Sequence, residues 1–322
     1  MKAVIRGFGG YLPEKTLTNF DLEKMVETSD AWIRERTGIQ VRHIASDNEY
    51  TSTLAIKAAQ EALKNANMTG KDIDMVVLAT TTPDDTTPAT AVQVQAAIQM
   101  DGGYAFDVQA ACSGFMYALS IANQYILSGS VKNALVIGAE TLSRIVDWSD
   151  RNTCVLFGDG AGAVVLSATT TEEEKAGTGI LDIVLHSDGN CRQLLTTTGG
   201  VSRTQTAGYV LMEGREVFRH AVTNLAEVAT EVITRTGTKL SDIDYLVPHQ
   251  ANVRIIEGTA KKLEIPMDKV ILTLPEQGNT SAASIPLALF EGVKSGRLKK
   301  GQLILLDAMG GGFTWAAALI RL

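Results

Sequence analysis

The sequence predicts an α/β fold built from two similar halves, with helices covering mixed or mostly parallel sheets. Three observations carry this. Pieces of the chain recur in the same order at offsets of about 150 to 170 residues. Short apolar runs alternate with helical patterns. Two of the helices are apolar on nearly every side, which places them inside the molecule, between the sheets.

The first recurring unit is a helix followed by a buried strand. "TSTLAIKAAQEALKNAN" (51–67) precedes "KDIDMVVLATTT" (71–82), and "EVFRHAVTNLAEVATEVITRTG" (216–237) precedes "SDIDYLVPHQAN" (241–252). The second unit runs from a small-residue start through an apolar helix and a Ser-Gly turn to a strand. It appears as "CSGFMYALSIANQYILSGSVKNALVIGAE" (112–140) and as "TSAASIPLALFEGVKSGRLKKGQLILLDA" (280–308). The third is a closing strand, "GDGAGAVVLSA" (158–168) and "GGGFTWAAALI" (310–320). The halves are expected to be roughly 1–170 and 171–322, joined on the surface by "LSATTTEEEKAGTG" (166–179).

Bulk properties exclude several classes. The chain has 322 residues and a net charge of −7, so bulk nucleic-acid binding is not expected, and an anionic ligand would need a local basic patch. Three cysteines without a CxxC pair argue against a disulfide framework or a zinc site. No apolar run approaches the ~18 residues of a membrane span, and no signal peptide is visible, so a cytoplasmic setting is expected.

Four places could carry chemistry. Cys112 stands where the strand "YAFDVQ" gives way to an apolar helix. A helix N-terminus lowers a thiol pKa, which would turn a packing residue into a nucleophile. Among four histidines, His249 alone ends a strand in a polar loop, "PHQAN", where ligands gather in α/β sheets. His43 and His186 lack polar company with an obvious role, and His220 is expected at the surface. Asn279 falls near the position that matches Cys112 in the repeat, although Asn at a helix start is also a common cap. The glycines of "MGGGFTW" offer backbone N–H groups for a tight turn or an oxyanion hole.

Taken together, "ACSGF", "VPHQAN", "GNTSAAS" and "GGGFTW" resemble the condensing enzymes of the thiolase superfamily. Within it they are most similar to the β-ketoacyl-acyl carrier protein synthase III family, and the similarity spans the chain. The resemblance implies a five-layered α-β-α-β-α fold, a homodimer, and a triad of Cys112, His249 and Asn279. It implies a ping-pong reaction that starts type II fatty acid synthesis. Cys112 takes the acyl group of an acyl-coenzyme A, with the oxyanion held by N–H groups of Cys112 and Gly311. His249 and Asn279 then donate to the enolate formed when malonyl-acyl carrier protein loses CO₂. No metal or further cofactor is implied, because coenzyme A enters as substrate. An amide at the third position donates but takes no proton, and Cys154 and Cys191 lie in no matching motif. This favours decarboxylation over the proton removal of a thiolase.

The resemblance also places coenzyme A, and residue spacing near His249 suggests where the carrier protein would dock. Trp32 and Arg151 would sandwich the adenine, with Thr28 and Arg36 at the nucleotide end. Arg254, Lys261 and Lys262 share one helix face, and with Arg219 they would dock an acidic carrier. The acyl pocket would be formed by Leu142, Phe157, Met309 and, from the partner subunit's loop, the residue matching Thr87. Met309 stands where the family commonly has Phe. Two other functions stay open at this point: a condensing enzyme of secondary metabolism or storage lipid, and a catalytically silent acyl-binding partner.

Overall fold

The computed structural model describes residues 2–322. Its first sheet runs in the order Ala3–Tyr11, Gly160–Ala168, Asn133–Glu140, Met75–Ala79, Tyr104–Val108. The first two pairings are antiparallel and the last two parallel. The second sheet runs Tyr245–Pro248, Leu303–Gly310, Thr314–Arg321, Gly179–Ser187, with only the first pairing parallel. Each strand of the second sheet thus has a counterpart in the first. Only Tyr104–Val108 has none, and it forms an open edge.

Five layers follow from where apolar surface must go. Helix Thr51–Ala66 buries Leu54, Ala55, Ala58, Ala59 and Ala62 on one face and keeps Lys57, Glu61 and Lys64 outside. Its alanine face lies so close to Ala3–Tyr11 that a Cβ on Gly9 would sit 2.1 Å from the Ala58 carbonyl oxygen. On the far side, helices Gly214–Arg235 and Val253–Lys262 cover the second sheet. The helices Gly114–Leu127 and Ser284–Lys294 lie between the sheets, in one cluster with strands of both. Phe115, Met116, Leu119, Ile285 and Leu289 are almost wholly buried there, and each contributes about 1.5–3 kcal/mol of apolar transfer.

Two local readings need correction. The segment 166–179 is not all connection, because Leu166–Ala168 complete a strand and Thr171–Lys175 form a helix with no buried residue. His43 and His186 do have polar company, since His43 Nδ1 lies 2.6 Å from the Pro13 carbonyl oxygen and His186 Nε2 lies 2.7 Å from Glu231. Among the described residues no helix is long and apolar enough to cross a membrane.

Candidate active site

The parallel strands all point their carboxyl ends at one region, and the candidate residues follow those ends. Cys112 comes after Tyr104–Val108, Leu142 after Asn133–Glu140, His249 after Tyr245–Pro248, and Gly311 after Leu303–Gly310. They line a single cavity of about 1330 Å³ together with Trp32, Arg36, Phe157, Asn279 and Met309. That volume exceeds the usual range for a small ligand and suits a long one.

Cys112 sits in the turn Ala111–Ser113, just before helix Gly114–Leu127. Ala111 is bent into the left-handed region, with φ 46°. Ser113 Oγ and Thr314 Oγ1, 2.6 Å apart, tie this turn to the glycine loop, and Thr314 also donates to the Ala110 carbonyl. The glycine loop presses close: a Cβ on Gly310 would lie 2.5 Å from the Cys112 nitrogen. The expected lowering of the thiol pKa is not found. Burial pushes Cys112 up to about 11, helped by the nearby Glu140 charge, against a smaller lowering by Ser281. The resting form is therefore a thiol.

His249 is 5% exposed, and burial drives its imidazole down to about 3, so it is neutral near pH 7. Its Nδ1 lies 2.6 Å from Ser284 Oγ, on the first residue of the second central helix. Asn279 does not cap that helix. It is held between Leu156 and Gly158 by its own backbone, and its Oδ1 accepts the Ser281 N–H at 2.9 Å. Its amide nitrogen is therefore the free end.

The coenzyme A candidates lie at the mouth. The Arg36 and Arg151 guanidinium carbons are 5.7 and 5.5 Å from the Trp32 ring centroid. Thr28 and Arg151 are not among the cavity-lining residues, and Thr28 Oγ1 is buried without a partner among the described residues. Arg192, Arg144 and Arg215 also line the cavity, together with the acidic Asp84, Asp85 and Glu213. Arg254 stacks 5.8 Å over Phe218, a lining residue, and Lys261 is exposed on the same helix. Arg219 is paired with Glu216 at 2.7 Å. Thr87 is exposed and does not line the cavity of its own chain, whereas Thr86 does.

Several residues escaped the sequence reading. Glu140 is wholly buried behind Cys112 and accepts from Thr80, Thr81, Thr82 and Ser281. Arg42, also fully buried, donates to the Val155 carbonyl and to Asn19, whose amide nitrogen donates to Asp30. It thereby joins the Trp32 helix to the chain that follows Arg151. A charged residue closing or interrupting an apolar strand, as in "VIGAE" and "LILLDAM", was the available signal for Glu140 and Asp307.

A cysteine at a helix start, a buried histidine and an asparagine amide, gathered between two duplicate-looking sheets, define a thiolase-fold condensing enzyme. Family models described as 3-Oxoacyl-[acyl-carrier-protein (ACP)] synthase III and its C terminal match residues 106–189 and 233–322. The chain is 60% identical over 322 residues to the beta-ketoacyl-[acyl-carrier-protein] synthase III of Paramagnetospirillum magneticum, covering all of this chain and 99% of that one. It superposes on the crystal structure of 3-oxoacyl-[acyl-carrier-protein] synthase III from Aquifex aeolicus with a TM-score of 0.94 at 50% identity, covering 99% and 100% of the two chains. A priming beta-ketosynthase of the R1128 polyketide pathway follows at a TM-score of 0.93 and 33% identity, covering 99% and 96%. The chain belongs to the beta-ketoacyl-[acyl-carrier-protein] synthase III family, and it is an acyltransferase of the condensing type.

Proposed function

We propose that the chain joins an acyl-coenzyme A primer to malonyl-acyl carrier protein, giving 3-oxoacyl-acyl carrier protein, coenzyme A and CO₂. The observation that carries this is the convergence of Cys112, His249 and Asn279 on one cavity, with His249 Nδ1 and Asn279 Oδ1 both occupied by protein partners. The remaining nitrogens are then available to an oxygen in the cavity. Cys112 sulfur attacks the primer carbonyl, and N–H groups of Cys112 and Gly311 receive the oxyanion. Coenzyme A departs and the thiol proton ends on its sulfur. Malonyl-acyl carrier protein then loses CO₂, and the electron pair moves onto the thioester oxygen facing His249 and Asn279. The enolate carbon attacks the acyl-cysteine and expels the Cys112 thiolate, which takes up a proton from solvent to return to the resting thiol. No metal or redox group enters, since a nucleophile and hydrogen-bond donors suffice for each step. The test is incubation with acetyl-coenzyme A followed by mass measurement: an acetyl adduct on Cys112 is expected, and an unmodified protein would reduce the chain to an acyl-binding partner.

The primer's nucleotide is proposed to bind at Trp32, Arg36, Arg151 and Thr28. A base stacked between Trp32 and Arg151 needs about 7 Å between them, so Arg151 would swing outward. Arg254, with Lys261 and Arg219 beside it, is proposed to dock the carrier protein. Arg254→Glu should raise KM for malonyl-acyl carrier protein by about three- to tenfold, weakening with salt, while leaving KM for acetyl-coenzyme A unchanged. Equal damage to both substrates would count against this assignment.

A homodimer, and the division into halves at 1–170 and 171–322, belong to the same reading. The open edge Tyr104–Val108 and the exposed Thr87 loop support the former, and the repeated strand order the latter. Thr87 would reach the partner's acyl pocket, beside Leu142, Phe157 and Met309. Thr87→Phe should then selectively depress primers longer than acetyl. Each methylene excluded is worth about 0.8 kcal/mol, so the loss should be several-fold per carbon. An unchanged chain-length profile would place the limit elsewhere.

A further inference from the structure

Asn279 is a donor by construction, because Ser281 N–H occupies its carbonyl. A neutral imidazole has no such built-in direction: its proton can sit on either nitrogen, and only the Nε2–H form can donate into the cavity. We infer that Ser284 is the positioning residue that selects this tautomer of His249.

The argument is one of proton counting in a closed space. His249 carries a single ring proton near neutrality, because burial disfavours the imidazolium. Ser284 is 1% exposed, and its Oγ has two neighbours within hydrogen-bond reach: His249 Nδ1 at 2.6 Å and the Gln250 N–H at 3.4 Å. The Gln250 N–H can only donate, so it takes a lone pair of the serine oxygen. The serine proton then has one acceptor, His249 Nδ1. The reverse arrangement would bring two donors to Ser284 and strand its own proton in a dry site. An unsatisfied buried hydroxyl disfavours that arrangement by about tenfold or more. Nδ1 is thus the acceptor and Nε2 bears the hydrogen.

The geometry also explains why the device is needed. Ser284 opens the central helix Ser284–Lys294, while His249 follows a strand of the second sheet. The contact fixes a loop residue against the middle layer, five residues beyond Asn279. One short stretch of chain therefore orients both hydrogen-bond donors.

This inference rests on the reading of His249 as a donor to the enolate, and its test separates the two. Imidazole ¹⁵N spectra of the labelled protein, assigned with the His249→Gln variant, should show the Nε2–H form in the wild type and a mixture in Ser284→Ala. Ser284→Ala should also lose about tenfold or more in malonyl decarboxylation, with acetylation of Cys112 within about twofold of wild type. Ser284→Thr, which keeps the hydroxyl, should recover most of the loss. An Nδ1–H tautomer in the wild type would overturn the inference whether or not Ser284→Ala folds. So would wild-type decarboxylation in a folded Ser284→Ala. If instead His249→Ala decarboxylates normally, the donor role itself fails, while the tautomer spectrum keeps its meaning.

Discussion

His249→Ala and Asn279→Ala are expected to form the acetyl-enzyme at close to the wild-type rate and to lose malonyl decarboxylation by about a hundredfold or more each. Removal of one preorganised donor from an oxyanion site costs about 10²–10³ in rate. In the proposed mechanism both donors face an oxygen whose charge develops only as CO₂ departs, so their loss should fall on that step. Thioester attack uses other groups, the Cys112 sulfur and backbone N–H donors. Cys112→Ala should show the opposite pattern, with no adduct and no condensation. The measurement is a pair of assays on each variant: adduct formation by mass, and CO₂ release from labelled malonyl-acyl carrier protein. Wild-type CO₂ release in either donor variant would refute the division of labour.

Asp307→Asn is expected to stabilise the protein at pH 8 and to lose that advantage at pH 4. Asp307 is fully buried in the strand Leu303–Gly310, and neither carboxyl oxygen has a hydrogen-bond partner among the described residues. Burial pushes its pKa up to about 7 from 3.8. Between these values the folded state keeps a proton that the unfolded chain has lost. Stability therefore falls as pH rises from about 4 to about 7, and the loss is complete above that. Three pH units correspond to about 4 kcal/mol, or on the order of 5 °C in Tm for a chain this long. His249, held near 3, acts in the opposite direction, with stability rising from about pH 3 to about 6.5. The difference between wild-type and variant Tm curves cancels this and isolates Asp307. Parallel curves would show that Asp307 does not titrate in this range.

The layers were legible because their cause is periodic. The alanine stripe of residues 51–66 and the all-apolar helices after Cys112 and Asn279 announce an outer and an inner position through side-chain spacing alone. The cavity members were legible for a different reason: Cys112, His249 and Gly311 follow the carboxyl ends of strands. What stayed hidden depends on contacts between distant segments. Nothing near Arg42 in sequence says that it will be buried against Asn19 and Val155, and nothing marks Ser284 as the neighbour of His249 across 35 residues. The thiol pKa was misjudged because helix position can be read from sequence, whereas desolvation depends on how deeply the turn sinks. Thr87 reads ambiguously for a related reason: its proposed pocket lies on another chain.

The nucleophile and the histidine follow strands of different sheets, which are held together by the middle layer and by loop contacts such as Ser113 with Thr314. The cavity is thus a seam. A molecule anchored on Cys112 and reaching His249 would act as a rivet across it, and its binding energy would add directly to the work of separating the sheets. A molecule of equal affinity that touches only the Trp32 side would close no such gap. Ligands of equal affinity raise Tm equally when the chain unfolds as a whole, but one that spans the seam also suppresses the partial openings that part the sheets, so proteolysis of the central helices should slow more for it.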